Sequence, residues 1–425
     1  MPGRTSTRRL ILLATLGALA LSGAACGSTP GAAVKFSSSA GASSAPSTNS
    51  SASASDAPTP GPSTSTTAEA SPTPTPTATP ADADPAYIPA LASIQMVGPK
   101  TGWVAGSHAI YATTDGTHWA RQYASTNDYD GVDFISQTTG WVVGLHELLG
   151  TTDGGHTWRT LGEASGSLRS VHFSNASQGW GIAGGSYVQP DHGTLLPNVG
   201  AGLVASNDGG NSWSPLNSPA NPQSVCFSDP THGWLATADA HVYQSSDAGQ
   251  SWTPTLSMYG AGPGPGNRIR VQCAAPTAAW VMQTVENGAA GHLPYVVYST
   301  QDGHSWRTVM TEQYTIGNNL PGVPPGPDSH PGSFSVVDPL DAVFVGDGPA
   351  TNVAACIVAN GGGATLRPTG KINNSSETYG AAFTAVTTGW VLTRDESSGN
   401  LVIDATTDGG YHWSQQLAVA PTSAG

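Results

Sequence analysis

The chain has 425 residues, with 14 Lys+Arg against 28 Asp+Glu, a formal net charge of −14 and only 10 % charged side chains. An acidic balance with no basic block beyond the first 25 residues argues against a nucleic-acid partner. Glycine (53) and proline (33) are abundant, which suits many turns and few amphipathic helices. The length would allow two or three domains, but much of the N-terminal part is not fold material, so one large domain is expected.

Residues 1–25 read as an export signal. Arg4, Arg8 and Arg9 form a positive start, and Leu10 to Leu21 is an apolar run too short to span a bilayer stably. Gly23-Ala24-Ala25-Cys26 resembles a bacterial lipobox, although Gly23 stands where Leu is usual. The resemblance implies that the Cys26 thiol receives a diacylglycerol and that cleavage leaves Cys26 as the new N-terminus, which would hold the chain at the outer face of the cytoplasmic membrane. An ordinary signal peptide cut at the same small residues is the alternative. Residues 26–85 are Ser, Thr, Ala and Pro with hardly a larger apolar side chain, as in Ser71-Pro-Thr-Pro-Thr-Pro. Such a segment buries too little surface to offset its ordering entropy and reads as a disordered tether, extended where proline-rich.

From about residue 92 to 418 the sequence repeats itself. An apolar-x-apolar triplet is followed, seven residues after its last member, by Trp. Phe134 leads to Gly140-Trp141, Phe173 to Gly179-Trp180, Phe227 to Gly233-Trp234, Phe383 to Gly389-Trp390 and Met96 to Gly102-Trp103. Cys273 to Ala279-Trp280 and Val336 to Ala342-Val343 keep the interval with altered residues. Each copy is followed by a second motif. Thr151-Thr-Asp153-Gly-Gly-His-Thr-Trp158 is the cleanest, and Asp208, Asp247 and Asp408 occupy the same place in theirs. Asp115 and Asp302 stand in copies one residue tighter, and the sixth copy, Ala359 to Leu366, has lost both Asp and Trp.

The second motif resembles the Asp-box, or BNR repeat. The combined unit is similar to the photosystem II stability/assembly factor family. Each unit reads as four short strands and has the length of one propeller blade, so the seven units are expected to form an all-β fold, a seven-bladed β-propeller of four-stranded antiparallel blades. Asp-boxes also occur in sialidases, xyloglucan hydrolases and sorting-receptor ectodomains, so the resemblance bears on fold far more than on function.

Within a repeat, strand A is the triplet, B begins at Gly-Trp, C runs into the box and D starts at the box Trp. The box Asp suits a tight C–D turn, where its carboxylate accepts backbone N–H bonds. Asp115, Asp153, Asp208, Asp247, Asp302 and Asp408 are therefore expected to be structural, and no catalytic residue is assigned. The repeated Trp residues are expected in the core. The middle triplet position, Gln95, Asp133, His172, Cys226, Gln272, Ser335 and Ala382, should lie near the central axis and meet channel water. Glycosidases need two carboxyls facing each other. Asp133, Glu147, Asp191, Glu286 and Asp347 are candidates that no spacing pairs. Tyr87-Ile-Pro-Ala90 lacks the Arg that opens a sialidase motif. No Cys/His spacing suggests a metal site, and no cofactor is implied.

The A–B and C–D turns hardly vary in length, whereas the B–C and D–A connections do. In an up-and-down blade those variable connections share the face opposite the boxes. Tyr187, Asp191, His192, Tyr259, Asn267, Arg268, Glu286, His292, Tyr314 and Asn318 lie on the long ones and form the candidate binding face. Cys226 and Cys273 sit at the middle and last positions of successive triplets, so they face each other across the gap or point fully apart. A Cys226–Cys273 disulfide with Cys356 buried and free is favoured, and Cys273–Cys356 is its rival. Two functional readings follow. One is an extracytoplasmic, membrane-anchored binding or assembly-scaffold lipoprotein, a monomer with a protein or glycan partner. The other is a glycan-active hydrolase of the Asp-box type. The missing arginine signature favours the first.

Overall fold

A computed structural model describes residues 89–162, 168–184, 201–261, 267–285, 293–312, 320–349 and 351–421. Cys26 and the tether lie outside them. Repeats 1 and 2 contain β1 (Ser93–Met96), β2 (Gly102–Thr113), β3 (Ala120–Phe134), β4 (Gly140–Gly144), β5 (Leu148–Thr151) and β6 (Arg159–Leu161). Repeat 3 forms β7 to β10 (Leu168–Phe173, Gly179–Ala183, Gly202–Ser206, Ser214–Pro215), and repeat 4 forms β11 to β14 (Pro222–Phe227, Gly233–Thr237, His241–Ser245, Thr253–Ser257). Repeat 5 holds β15 to β18 (Asn267–Ala275, Ala278–Val285, Tyr295–Thr300, Trp306–Thr311). Repeat 6 holds β19 to β22 (His330–Val336, Ala342–Asp347, Val353–Asn360, Thr365–Asn373). Repeat 7 holds β23 to β26 (Ser375–Ala385, Thr388–Asp395, Leu401–Thr406, Ser414–Val419).

These antiparallel strands build a β-propeller of six hydrogen-bonded sheets, five of four strands and one of six. The expectation of seven separate four-stranded blades is thereby corrected to six. The reason is β3. Its first half pairs with β2 (Ala120 opposite Ala112) and its second half with β4 (Phe134 opposite Gly140), so repeats 1 and 2 share one sheet of strands β1 to β6. Elsewhere one repeat's last strand and the next repeat's first are separate strands in different sheets.

One arrangement recurs between neighbouring repeats and explains the residue types of the motif. The strand-B Trp of one repeat stacks on the strand-A Phe of the next: Trp103 on Phe134, Trp141 on Phe173 and Trp180 on Phe227, with centroids 3.5, 3.6 and 3.5 Å apart. The other side of each Phe ring covers the glycine of its own repeat. A Cβ on Gly140, Gly179, Gly233 or Gly389 would collide with Phe134, Phe173, Phe227 or Phe383. Where the ring is missing, at Cys273 and Val336, the glycine has become Ala279 and Ala342. The indole N–H then reaches the next repeat's box. Trp103 donates to Gly154 O (3.2 Å), Trp141 to Gly209 O (2.9 Å) and Trp180 to Ala248 O (3.0 Å). The same latch closes the ring, because Trp390 donates to Gly116 O at 3.0 Å. Ala90 and Leu91 are buried at this closing seam with Ile94, Leu392 and Ile403.

Candidate functional site

The two faces of the propeller are distinguished by their hydrogen bonds. On one, box turns are tied to the A–B turn of their own repeat in repeats 2, 3, 4, 6 and 7: Gly154 N to Thr138 O, Gly209 N to Ser177 O, Ala248 N to Thr231 O, Gly362 N to Leu340 O and Gly409 N to Thr387 O. On the other, B–C turns meet D–A connections, as in Leu145 N to Asp128 O, Ala238 N to Asn221 O and Met258 N to Ala240 O.

The box carboxylates are held by their own turns. Asp153 Oδ1 accepts from Thr157 N (2.9 Å) and Thr151 Oγ1 (2.8 Å), and Oδ2 from Thr157 Oγ1 (2.6 Å). Asp208 and Asp247 repeat this set with Ser212 and Ser251. Side-chain and backbone bonds from Thr157 bring the Asp153 carboxyl down to about 2. The backbone and side chain of His412 do the same for Asp408, and bonds to exposed turn atoms lower Asp115 and Asp302 further. Carboxylates held ionised in this way cannot serve as general acids near neutral pH. In repeat 6, where the box Asp is absent, Gly361, Gly362 and Gly363 take φ of 62°, 64° and 78°, and the turn is held from the A–B turn, with Gly361 N donating to Asp341 Oδ1 (3.3 Å).

At the middle triplet position, five residues form a belt of ties between repeats. Gln95 Nε2 donates to Phe134 O (3.2 Å), Asp133 Oδ2 accepts from Phe173 N (2.6 Å) and His172 Nε2 donates to Phe227 O (2.7 Å). Gln272 spans to Phe334 O (3.0 Å) and Val336 N (2.9 Å), and Ser335 Oγ accepts from Phe383 N (2.9 Å). Each tie runs from one repeat's inner strand to the backbone of the next. Cys226 is joined to Cys273 by a disulfide, with Cα atoms 6.0 Å apart, and Cys356 is a buried free thiol.

Of the candidate binding residues, the structure describes three. Asn267 is buried, with Nδ2 on Ala238 O (3.4 Å) and Oδ1 accepting from Gln283 Nε2 (3.1 Å). Tyr259 is half-buried in the core beside it. Its N–H donates to Tyr298 Oη (2.9 Å) and its carbonyl accepts from Gln283 Nε2 (2.7 Å). These two residues are brought together, but as support for the connection. Arg268 stands partly exposed at the start of the inner strand. Tyr187, Asp191, His192, Glu286, His292, Tyr314 and Asn318 lie outside the described residues.

Two enclosed carboxylates, Asp130 on β3 and Asp347 at the end of β20, were not singled out together by the sequence. Burial pushes both Asp130 and Asp347 up to about 7, with Arg169 and Arg270 respectively pulling back. Each has an Oδ1 with no hydrogen-bond partner. Arg270 is held on the carbonyl of Gly332 and lies 5.9 Å from the Phe334 ring centre. Among the described residues, no group of three or more His, Cys, Asp or Glu could hold a metal ion.

No family model matches the chain, and no curated protein matches it. Solved structures do. YCF48 from Cyanidioschyzon merolae is 14 % identical over 75 % of this chain and 95 % of that one, with a TM-score of 0.49. YCF48 bound to D1 peptide gives 15 % identity, 72 % and 91 % coverage and 0.49. The GH74 xyloglucanase from Xanthomonas campestris gives 13 % identity, 78 % of this chain and a TM-score of 0.53, and this chain spans 55 % of its length. At such identities the likeness shows the propeller fold alone.

Proposed function

We propose that the chain is a membrane-tethered, extracytoplasmic binding or assembly-scaffold propeller whose partner docks on the face of the B–C and D–A connections. The observation that carries this reading is the inequality of the two faces. The box face is a set of near-identical turns whose polar groups are already tied within each turn and to the neighbouring A–B turn. The opposite face holds the connections that differ from repeat to repeat, on a scaffold fixed by latch and belt. Export is supported by the charged and apolar start of the sequence and by the Cys226–Cys273 disulfide, a bond that persists in oxidising compartments. The lipid on Cys26 rests on the lipobox resemblance.

The test is a pull-down from native membranes with the full chain. Residues 313–319 and 286–292 are replaced by short Gly/Ser linkers, and Arg268→Ala is made in parallel. Residues 320–330 are left intact, because Gly326 N donates to Thr311 O and Tyr295 Oη to Asp328 O, and both bonds hold this connection on the propeller. Loss of partner recovery with an unchanged melting temperature supports the reading. Intact recovery, with loss caused instead by changes on the box face, overturns it. Cys26→Ser should release the protein from the membrane, and continued detergent-dependent partitioning of that variant contradicts the anchor.

A further inference from the structure

The belt and latch fail together at one place, the seam between repeats 4 and 5, and there the chain carries its disulfide. Cys226 occupies the belt position, where other repeats use Gln, Asp, His or Ser to hold the next inner strand. Cys273 occupies the position of the Phe on which the preceding Trp stacks. The indole of Trp234 has no ring of this kind beneath it and meets Trp306 edge-on at 5.7 Å. Its Nε1 has no hydrogen-bond partner, unlike the equivalent atoms of Trp103, Trp141, Trp180 and Trp390. One covalent bond therefore stands in for the belt contact and the aromatic plug at once.

We propose that the seam between repeats 4 and 5 is a redox-sensitive joint of the propeller, closed when Cys226 and Cys273 are joined and loosened when they are thiols. Polar ties that remain on reduction include Val271 N to Ser224 Oγ (3.0 Å), Ile269 N to Gln223 Oε1 (2.8 Å), Gln244 Nε2 to Pro276 O (2.8 Å) and Asn267 Nδ2 to Ala238 O (3.4 Å). They flank the disulfide without replacing it, so the step creates a gap beside Trp234 in the middle of the seam. A dithiol is the reductant. Its thiolate attacks the sulfur of Cys273, the more exposed of the two residues, and Cys226 leaves as a thiolate that takes up a proton. The second thiol of the reductant then displaces Cys273, which is protonated in turn, and the reductant leaves as a disulfide. Two electrons and two protons enter the protein, and closure returns them. This inference does not depend on the partner or on its binding face.

Hydrogen exchange on the full chain, with and without dithiothreitol, reads the joint directly. Reduction is expected to raise exchange about tenfold or more in Pro222–Phe227 and Asn267–Ala275 while repeats 1 to 3 stay unchanged, and to lower the melting temperature by about 5 °C. Cys226→Ser/Cys273→Ser should behave as the reduced protein under both conditions. The triple variant Cys226→Gln/Cys273→Phe/Ala279→Gly restores the residues of the regular repeats and should make the seam indifferent to reductant. The proposal is overturned if wild type with both thiols alkylated exchanges like the oxidised protein. It is equally overturned if exchange rises evenly around the ring, or if the native exported protein carries three free thiols.

Discussion

Repeats 1 to 4 and repeats 5 and 6 solve the same packing problem with different parts. In the first group, Trp, Phe and Gly interlock between repeats, and an indole N–H reaches the next box. In the second, the Phe positions hold Cys273 and Val336, the glycines have gained a Cβ, and Trp280 Nε1 has no partner. In place of an indole, Ser299 reaches the next repeat's box turn, its Oγ donating to Gly362 O at 2.8 Å. Phe344 supplies a ring from the second strand, stacked on Phe334 at 5.4 Å. The difference shows that the ring needs a filled seam and a tie at each junction, and that aromatic residues are one way to supply them.

The largest effect that would break this comparison is removal of an interlocked ring. Phe173→Ala takes away the surface between Trp141 and Gly179 and is expected to cost about 3–5 kcal/mol of stability by denaturant titration. A cost below about 1 kcal/mol would mean that the stack carries little of the seam. Next is the glycine pairing. Gly179→Ala drives a Cβ into Phe173 and should cost about 1–3 kcal/mol, whereas Ala279→Gly, with no ring above it, should cost only about 0.5–1 kcal/mol. Equal costs would refute the link between ring and glycine.

That link could be read from the sequence, because the glycine turns to Ala in the two copies without Phe or Met. The repeat and its strands were legible for the same reason: each is a local pattern with a period. The blade count was not, since nothing in Ser125 to Asp128 announces that β3 will run through without a break. Nor was the belt, whose members Gln95, Asp133, His172 and Ser335 share polarity but not chemistry, and whose partner is a backbone group from another repeat. The long connections could be found by their length, but not which of their side chains turn inward, as Asn267 does.

A third test uses pH on the two enclosed acids, one in each region. Burial raises the carboxyls of Asp130 and Asp347 from an ordinary 3.8 to about 7, so the folded state holds their protons more tightly than the unfolded chain. Their contribution to stability is full below about pH 4 and is lost as the pH rises to about 7. Asp347 has Arg270, Thr378 and Glu377 around it, and Asp130 has Arg169. Asp130→Asn/Asp347→Asn should flatten the decline between pH 4 and 7 in melting temperature. An unchanged slope would mean that both acids are ionised in the folded protein without cost.

The smallest expected effect compares the two kinds of C–D turn. Asp208 ties its turn through Ser212 N (2.9 Å) and Ser212 Oγ (2.6 Å), and the Ser212 side chain and backbone hold its carboxyl below the usual range. A lowered folded value adds stability above about pH 4 that is lost as the pH falls through it. Asp208→Ala should therefore lower the melting temperature by about 2 °C at neutral pH, flatten the acid limb and leave partner recovery unchanged. Repeat 6 has no carboxylate in its turn, so its stability there should show no acid limb of this origin. Gly362→Ala, at a φ of 64°, should instead lower the melting temperature by a similar amount at every pH. If Asp208→Ala abolishes partner recovery while the melting temperature holds, the box face is the one that binds and the two turns differ in function rather than only in construction.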